Sequence, residues 1–295
     1  MIKETKHTEI TLIILMLMIL FYNVAFTQEK PNIIFIMADD LGYGDIGVYG
    51  QKLIKTPNID RLSAQGMRFS DYYSGAAVCA PARSVLMTGL HTGHTRIRGN
   101  FGKGGVVGLA GKQGRVPIKK EDLTIAEFLQ ENGYRTGMIG KWGLGEPNTS
   151  GEPNNKGFDY FYGFYNQRRA HSYYPDYIWE NTNKIKLHGN ENEQNHQYTH
   201  NLFADKSMNF IDRNYRTPFF LYLPVCIPHS RYELPENGIY THKKGWTDLQ
   251  KKYAAMVTRL DETVGRIVKR LDALGIADKT YIFFTSDNGP AEIVN

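Results

Sequence analysis

The residues best suited to chemistry stand in a few short stretches. "ADDLGYGD" carries Asp39 and Asp40, and "SDNG" carries Asp287 and Asn288. Three carboxylates and an amide oxygen form a hard, all-oxygen set that suits Ca²⁺ or Mg²⁺. Buried together without a counter-ion they would repel, and a cation would relieve that. Taken singly, each pair is equally the kind of sequence that ends a strand or caps a helix. Asp39 and Asp40 are sequence neighbours, and neighbours on a strand point to opposite faces. Both can reach one site only if the chain bends there. "VCAPARSVLMTGLHTGH" places Cys79 two residues before Pro81 and four before Arg83, ahead of a helix-like apolar run. Three readings of this thiol stay open: a small buried hydrophobe, half of a disulfide with Cys226, or a reactive group. Two cysteines so far apart are no disulfide framework, although export would permit the pairing. Lys141 in "MIGK", His229 in "IPHS" and His171 in "RRAHSYYP" are further candidates.

The elements that must position these groups follow from the apolar pattern. "PNIIFIMADD" is a strand-length apolar run ending in carboxylates. "TPNIDRLSAQG" starts a helix at Thr56-Pro57 and stops it at Gly66. "MRFSDYYS" alternates like a strand. "LTIAEFLQENG" carries a Thr124-x-x-Glu127 capping box. "YRTGMIGK" is a short strand, "THNLFADKSMNFIDRN" a helix and "PFFLYLPV" a buried strand. Leu249, Tyr253, Met256, Leu260, Val264, Ile267, Leu271 and Leu274 line one face of a long amphipathic helix. "TYIFFTSDNG" is a last strand. Strands alternating with helices predict an α/β fold with a largely parallel sheet flanked by helices. Such sheets bind ligands at the carboxyl ends of their strands. The candidate groups Asp39, Asp40, Lys141, His229, Asp287 and Asn288 all fall there. Residues 99–118 and 145–200 are Gly-, Asn- and Tyr-rich without a clear period and read as loops.

The net charge of +5 is spread along the chain without a long basic run, which is not the footprint of a nucleic-acid binder. At the N-terminus Lys3 and Lys6 precede the uncharged run "TLIILMLMILFYNVAF", with Ala25 and Thr27 near its end. This reads as a secretory signal peptide over 1–27 ahead of a catalytic domain over 28–295. The run is shorter than the ~20 apolar residues of a membrane span, so no stable span is expected. The protein is expected to be exported to a periplasmic or extracellular space.

Cys79-Ala80-Pro81-Ala82-Arg83, continuing Ser84-Val85-Leu86-Met87-Thr88-Gly89, closely resembles the signature of the type I sulfatases. It has company in that family's order: "PNIIFIMADDLGYGD" before it, then "MIGKWGLG", "IPHS" and "FFTSDNG". The resemblance runs from about residue 31 to the end of the sequence. It implies an alkaline-phosphatase-like fold and hydrolysis of aryl or carbohydrate sulfate esters. It also implies that a separate maturation enzyme oxidises Cys79 to formylglycine. By matching position, Asp39, Asp40, Asp287 and Asn288, with the modified Cys79, would bind Ca²⁺, Mg²⁺ being the second choice. Arg83 would hold the hydrated aldehyde, and Lys141 and His229 would contact the sulfate. His229 would protonate the leaving alcohol. The aldehyde hydrate has two hydroxyls: one attacks sulfur, and the other lets sulfate be expelled so that the aldehyde returns.

The sequence departs from the family pattern in two places. Many members have histidine two residues after the lysine, where this chain reads Gly140-Lys141-Trp142-Gly143. His171 is the candidate substitute base. Members also continue past Asp-Asn-Gly with a second sulfate-binding lysine and a smaller domain. Neither is in these 295 residues, which predicts an exposed sheet edge. The alternatives are a phosphomonoester or phosphonate-ester hydrolase of the same superfamily, and an inactive secreted remnant.

Overall fold

The computed structural model describes residue 16 and residues 30–101, 106–107, 114–191 and 194–290. The expected signal peptide lies outside the described residues apart from Met16, as does much of the glycine-rich stretch. The chain divides into two units, residues 1–31 and 32–295, and the second contains the sheet. Among the described residues no helix is long and apolar enough to cross a membrane.

The strands are β1 (Asn32–Ala38), β2 (Val106–Val107), β3 (Gly114–Arg115), β4 (Arg135–Lys141), β5 (Tyr160–Phe164), β6 (Tyr177–Glu180), β7 (Asn183–Lys186), β8 (Phe219–Pro224) and β9 (Thr280–Ser286). The helices are α1 (Pro57–Ala64), α2 (Cys79–Thr88), α3 (Ile125–Glu131), α4 (Thr199–Asn214) and α5 (Asp248–Ala273). Seven strands form one sheet in the order β7-β6-β5-β4-β8-β1-β9, and β2 and β3 pair separately. β5, β4, β8, β1 and β9 run parallel, while β6 and β7 add an antiparallel margin. A strand covered on both faces has no polar side to show, and every residue of β8 is buried.

One face of the sheet packs on α1, α4 and α5, where Ile34, Ile36 and Leu221 meet Phe203, Ile211, Leu260 and Val264. The other packs on α2 and α3, where Met37, Met138 and Phe220 meet Ala80, Met87 and Leu129. Leu260, Val264 and Ile267 on α5 are fully buried, each stabilising the fold by roughly 1.5–3 kcal/mol. The capping box of α3 forms as its sequence predicts: Thr124 Oγ1 accepts from Glu127 N, and Glu127 Oε2 accepts from Thr124 N at 2.8 Å.

Two expectations fail. Residues 67–74 form no strand: Met67, Phe69, Tyr72 and Tyr73 are exposed, because alternation makes a strand only where a neighbour offers its backbone. The stretches 99–118 and 145–200, expected to be loop, contain β2 and β3 in the first and β5, β6 and β7 in the second. These strands are too short, and too interrupted by turns, for a period to show. The two edges of the sheet differ. β7 (NKIK) carries lysines, which discourage further pairing. β9, the other outer strand, leaves Tyr281 and Phe283 exposed on one face.

Candidate active site

The strand ends are tied together by backbone N–H groups that donate to backbone and side-chain oxygens of their neighbours. Asp39 N donates to Ile227 O, and Asp287 N donates to Ala38 O. Asp40 N donates to Asp287 Oδ1, and Leu41 N to Ser286 Oγ. The carboxyl ends of β8, β1 and β9 are therefore one rigid rim. The bend that the Asp39-Asp40 pair requires is present: Asp40 has φ +62°, a left-handed conformation that aspartate tolerates better than most residues. Acid groups of both residues thereby reach one point. Atoms of Asp39, Asp40, Cys79 and His229 that could ligate a metal all lie within 4.8 Å of one another.

α2 begins at Cys79, and its first free N–H groups need acceptors. Asn100 Oδ1 supplies one, to Ala80 N at 3.0 Å. Pro81 stands in the first turn, where a missing N–H costs nothing. Cys79 and Arg83 are four residues apart and share a helix face. Arg83 is completely buried. It donates from Nε and Nη2 to Asp287 Oδ2 and from Nη1 to Lys141 O at 2.6 Å, with Nη2 3.6 Å from Asp39 Oδ1. Lys141, also fully buried at the end of β4, donates from Nζ to Asp39 Oδ2 at 2.6 Å.

The electrostatics follow from this packing. Burial works to raise the Asp39 carboxyl, but the Lys141 ammonium and then Arg83 outweigh it and hold Asp39 below the usual range. Burial and the nearby Asp39 push Asp287 upward. Burial would strip the proton from Lys141, yet Asp39 reverses this and keeps it charged. The Cys79 thiol is pushed up to about 12, by burial first and Asp39 second. It stays protonated at neutral pH and is a poor nucleophile as a thiol. Cys79 Sγ lies 3.5 Å from Asp39 Oδ1. Cys79 and Cys226 are both buried free thiols, so the open possibility of a disulfide between them is not realised.

His229 stands at the rim, with Nε2 3.3 Å from Asp40 Oδ2 and Nδ1 3.0 Å from Ser230 Oγ. The His171 ring stacks on it, with centroids 3.9 Å apart. Tyr173 fixes this arrangement, its buried hydroxyl shared between the carbonyls of Cys226 and His229. His171 Nε2 is buried without a partner. Burial, then the Lys141 charge, lowers its ring to about 2, so it is neutral.

The structure thus gathers Asp39, Asp40, Cys79, Arg83, Lys141, His171, His229, Asp287 and Asn288 at one rim. It arranges the acids differently from the expected ligand set. Asp287 is turned to Arg83 and to the Asp40 backbone, and Asn288 Nδ2 donates to Asp40 Oδ1. The residues nonetheless fit a divalent cation. Asp39 and Asp287 face two fixed cations, Asp40 adds a third carboxylate beside them, and Asn288 Oδ1 is a buried acceptor without a partner.

Sequence reasoning passed over Asn100, Gln167 and Arg115. Arg115 is buried over the Phe101 ring at 4.5 Å, and its charge acts on His171. Gln167 is buried beside Gly143. The one available signal for Gln167 was its place four residues before His171.

This rim on a mixed, mostly parallel sheet is the alkaline-phosphatase-like arrangement, and the chain belongs to the sulfatase family, whose model matches residues 31–292. Among its relatives is an arylsulfatase of Hemicentrotus pulcherrimus, 35% identical over 279 residues, covering 88% of this chain and 47% of that protein. The N-acetylgalactosamine-6-sulfatase of Homo sapiens is 31% identical over 284 residues, covering 90% and 51%. The crystal structure of Ps i-CgsB matches with a TM-score of 0.76 at 33% identity, covering 89% of this chain and 59% of that one. The chain spans about half the length of the curated relatives it matches.

Proposed function

We propose that the chain hydrolyses sulfate monoesters, R–O–SO₃⁻ and water giving the alcohol and sulfate, with sulfated carbohydrates as the substrate class. The observation that carries this reading is the pair of fully buried cations, Arg83 and Lys141, set against Asp39 beside Cys79. Fixed positive charge in a water-poor site stabilises an oxyanion far better than the same charge in solvent. Family membership supports the reaction class. A solved complex of the similar Ps i-CgsB with k-i-k-neocarrahexaose supports a carbohydrate substrate.

Asp39, Asp40, Asp287 and Asn288 would hold Ca²⁺, which when bound would polarise the ester oxygens and acidify a neighbouring hydroxyl. Residue 79 would act as formylglycine rather than cysteine, made by a maturation enzyme, as the resemblance of Cys79-Ala80-Pro81-Ala82-Arg83 to the sulfatase signature implies. Lys141 orients Asp39 and faces the transferring group with positive charge. Arg83 ties Asp287 to the carbonyl of Lys141, so the two strand ends keep their separation as charge moves. His229 Nε2 delivers a proton to the leaving alcohol as the S–O bond breaks. His171 is neutral, the form that can accept a proton, and an anionic ester beside it would raise its basicity. His171 takes the place of the histidine that Gly143 lacks. The basic start and apolar run of residues 1–27 support export.

The test is turnover of paired aryl sulfate and aryl phosphate esters by chain co-expressed with a formylglycine-generating enzyme. The mass of the Cys79 peptide and the effect of chelation followed by Ca²⁺ are read alongside. Sulfate turnover that tracks the aldehyde and Ca²⁺ supports the reading. Preference for the phosphate ester would move it to phosphoester hydrolysis. No turnover with aldehyde present would leave a binding protein.

A further inference from the structure

The region around Gly143 holds a buried polar group, the Gln167 carboxamide, that the chemistry above does not use. Gln167 is 2% exposed, and its Nε2 is buried without a hydrogen-bond partner. It lies against Gly143: a Cβ built there would stand 2.4 Å from Gln167 Nε2 and 2.6 Å from its Cγ. Gly143 also has φ +81°, a conformation that a side chain would strain. Position 143 is therefore glycine because Gln167 fills the space a side chain would take.

The turn that carries Gln167 also carries His171. Ala170 N donates to Asn166 O at 3.2 Å, and His171 N to Arg168 O. Gln167 lies against Gly143 near the start of this turn, and His171 against His229 at its end. His171 Nε2 is likewise buried and unpartnered, and its ring stacks on His229. Two unsatisfied polar atoms thus sit on one turn, between Gly143 and His229. Buried polar groups are nearly always paired, so a pair of orphans beside His229 points to a ligand that supplies polar partners, an acceptor for the Gln167 amide among them.

We infer that Gln167 is a substrate-binding residue whose carboxamide N–H donates to a sulfuryl oxygen of the ester, in the place a side chain at position 143 would otherwise occupy. The inference rests on the sulfate-ester reading and adds a recognition contact to it. Gln167 carries no charge and transfers no proton. Its contact is made in the ground state as well as during reaction, so it acts on binding more than on turnover.

The experiment compares the matured parent with Gln167→Ala and Gln167→Asn. KM and kcat are measured with an aryl sulfate, and affinity for inorganic sulfate by its inhibition constant and by the thermal shift it produces. Gln167→Asn keeps the amide and withdraws it by one methylene, so it answers the question if the alanine variant folds poorly. Both variants are expected to weaken sulfate binding and raise KM about 10- to 100-fold, with kcat changed much less. Sulfate affinity and KM within about twofold of the parent would overturn the inference while leaving the sulfatase reading intact. A parent that neither binds sulfate nor hydrolyses sulfate esters would overturn that reading and this contact with it.

Discussion

Lys141→Met removes one half of a fully buried ion pair in the site. The ammonium and the Asp39 carboxylate are both 0% exposed and 2.6 Å apart. Methionine fills similar volume, so little of the effect should come from a cavity. What remains is Asp39, charged and buried, with its nearest counter-charge gone. Breaking a buried pair by deleting one partner costs about 3–5 kcal/mol. Arg83 Nη2 remains 3.6 Å from Asp39 Oδ1 and takes up part of the loss. That places the expectation at the lower end, about 3 kcal/mol, or a Tm lower by about 6–12 °C for a domain of this size. Asp39→Asn in the Lys141→Met background removes the orphaned charge and should recover most of the loss. Denaturant unfolding of the parent, both single variants and the double variant gives the coupling energy directly. The reasoning is refuted if Lys141→Met unfolds within about 1 kcal/mol of the parent, or if the double variant is no more stable than Lys141→Met.

His200 supplies a pH test remote from the rim. Its ring is buried, with Nε2 2.9 Å from Thr263 Oγ1, and burial, then the Arg259 charge, lowers it from 6.5 to about 3. A depressed histidine makes the unfolded chain bind the extra proton. Stability is therefore complete above about pH 6.5 and is lost as pH falls toward about 3. Between pH 8 and pH 5 this group should cost about 2 kcal/mol. His171, depressed to about 2, adds a parallel loss, so His200→Gln should keep only about half of the slope contributed by the two; an unchanged slope would count against the assignment. Asp261 on α5 accepts from Asn58 N, Ile59 N and Asn58 Nδ2 at the start of α1. Asp261→Ala should cost about 2–3 kcal/mol in urea unfolding, by orphaning buried N–H groups, and Asp261→Asn less.

Much of this was legible along the chain. β1, β4 and β8 are apolar runs because both their faces are largely covered, and α3 and α5 announce themselves by a capping box and by periodicity. Local composition carries such elements because burial and end-capping act within a few residues. Position on a strand end also marked Asp39, Asp40, Lys141, His229 and Asp287 as site candidates, since parallel sheets bind there. The stretches at 67–74 and 145–200 misread because pairing partners, not local pattern, decide whether a short segment becomes a strand.

The amino-acid sequence by itself determined which chemical groups are present, the order of the strands' ends along the chain, and kinship with the sulfatases through residues 31–292. Only the tertiary structure decided that Arg83 would lie between Asp287 and Asp39, that Lys141 would neutralise Asp39, and that His171 would stack on His229. It also decided that Gln167 would occupy the room left by Gly143. The physical reason is distance in the chain. Arg83 and Asp287 are 204 residues apart and Asp39 and Lys141 are 102, and such pairs meet only where the sheet's crossovers bring strand ends together.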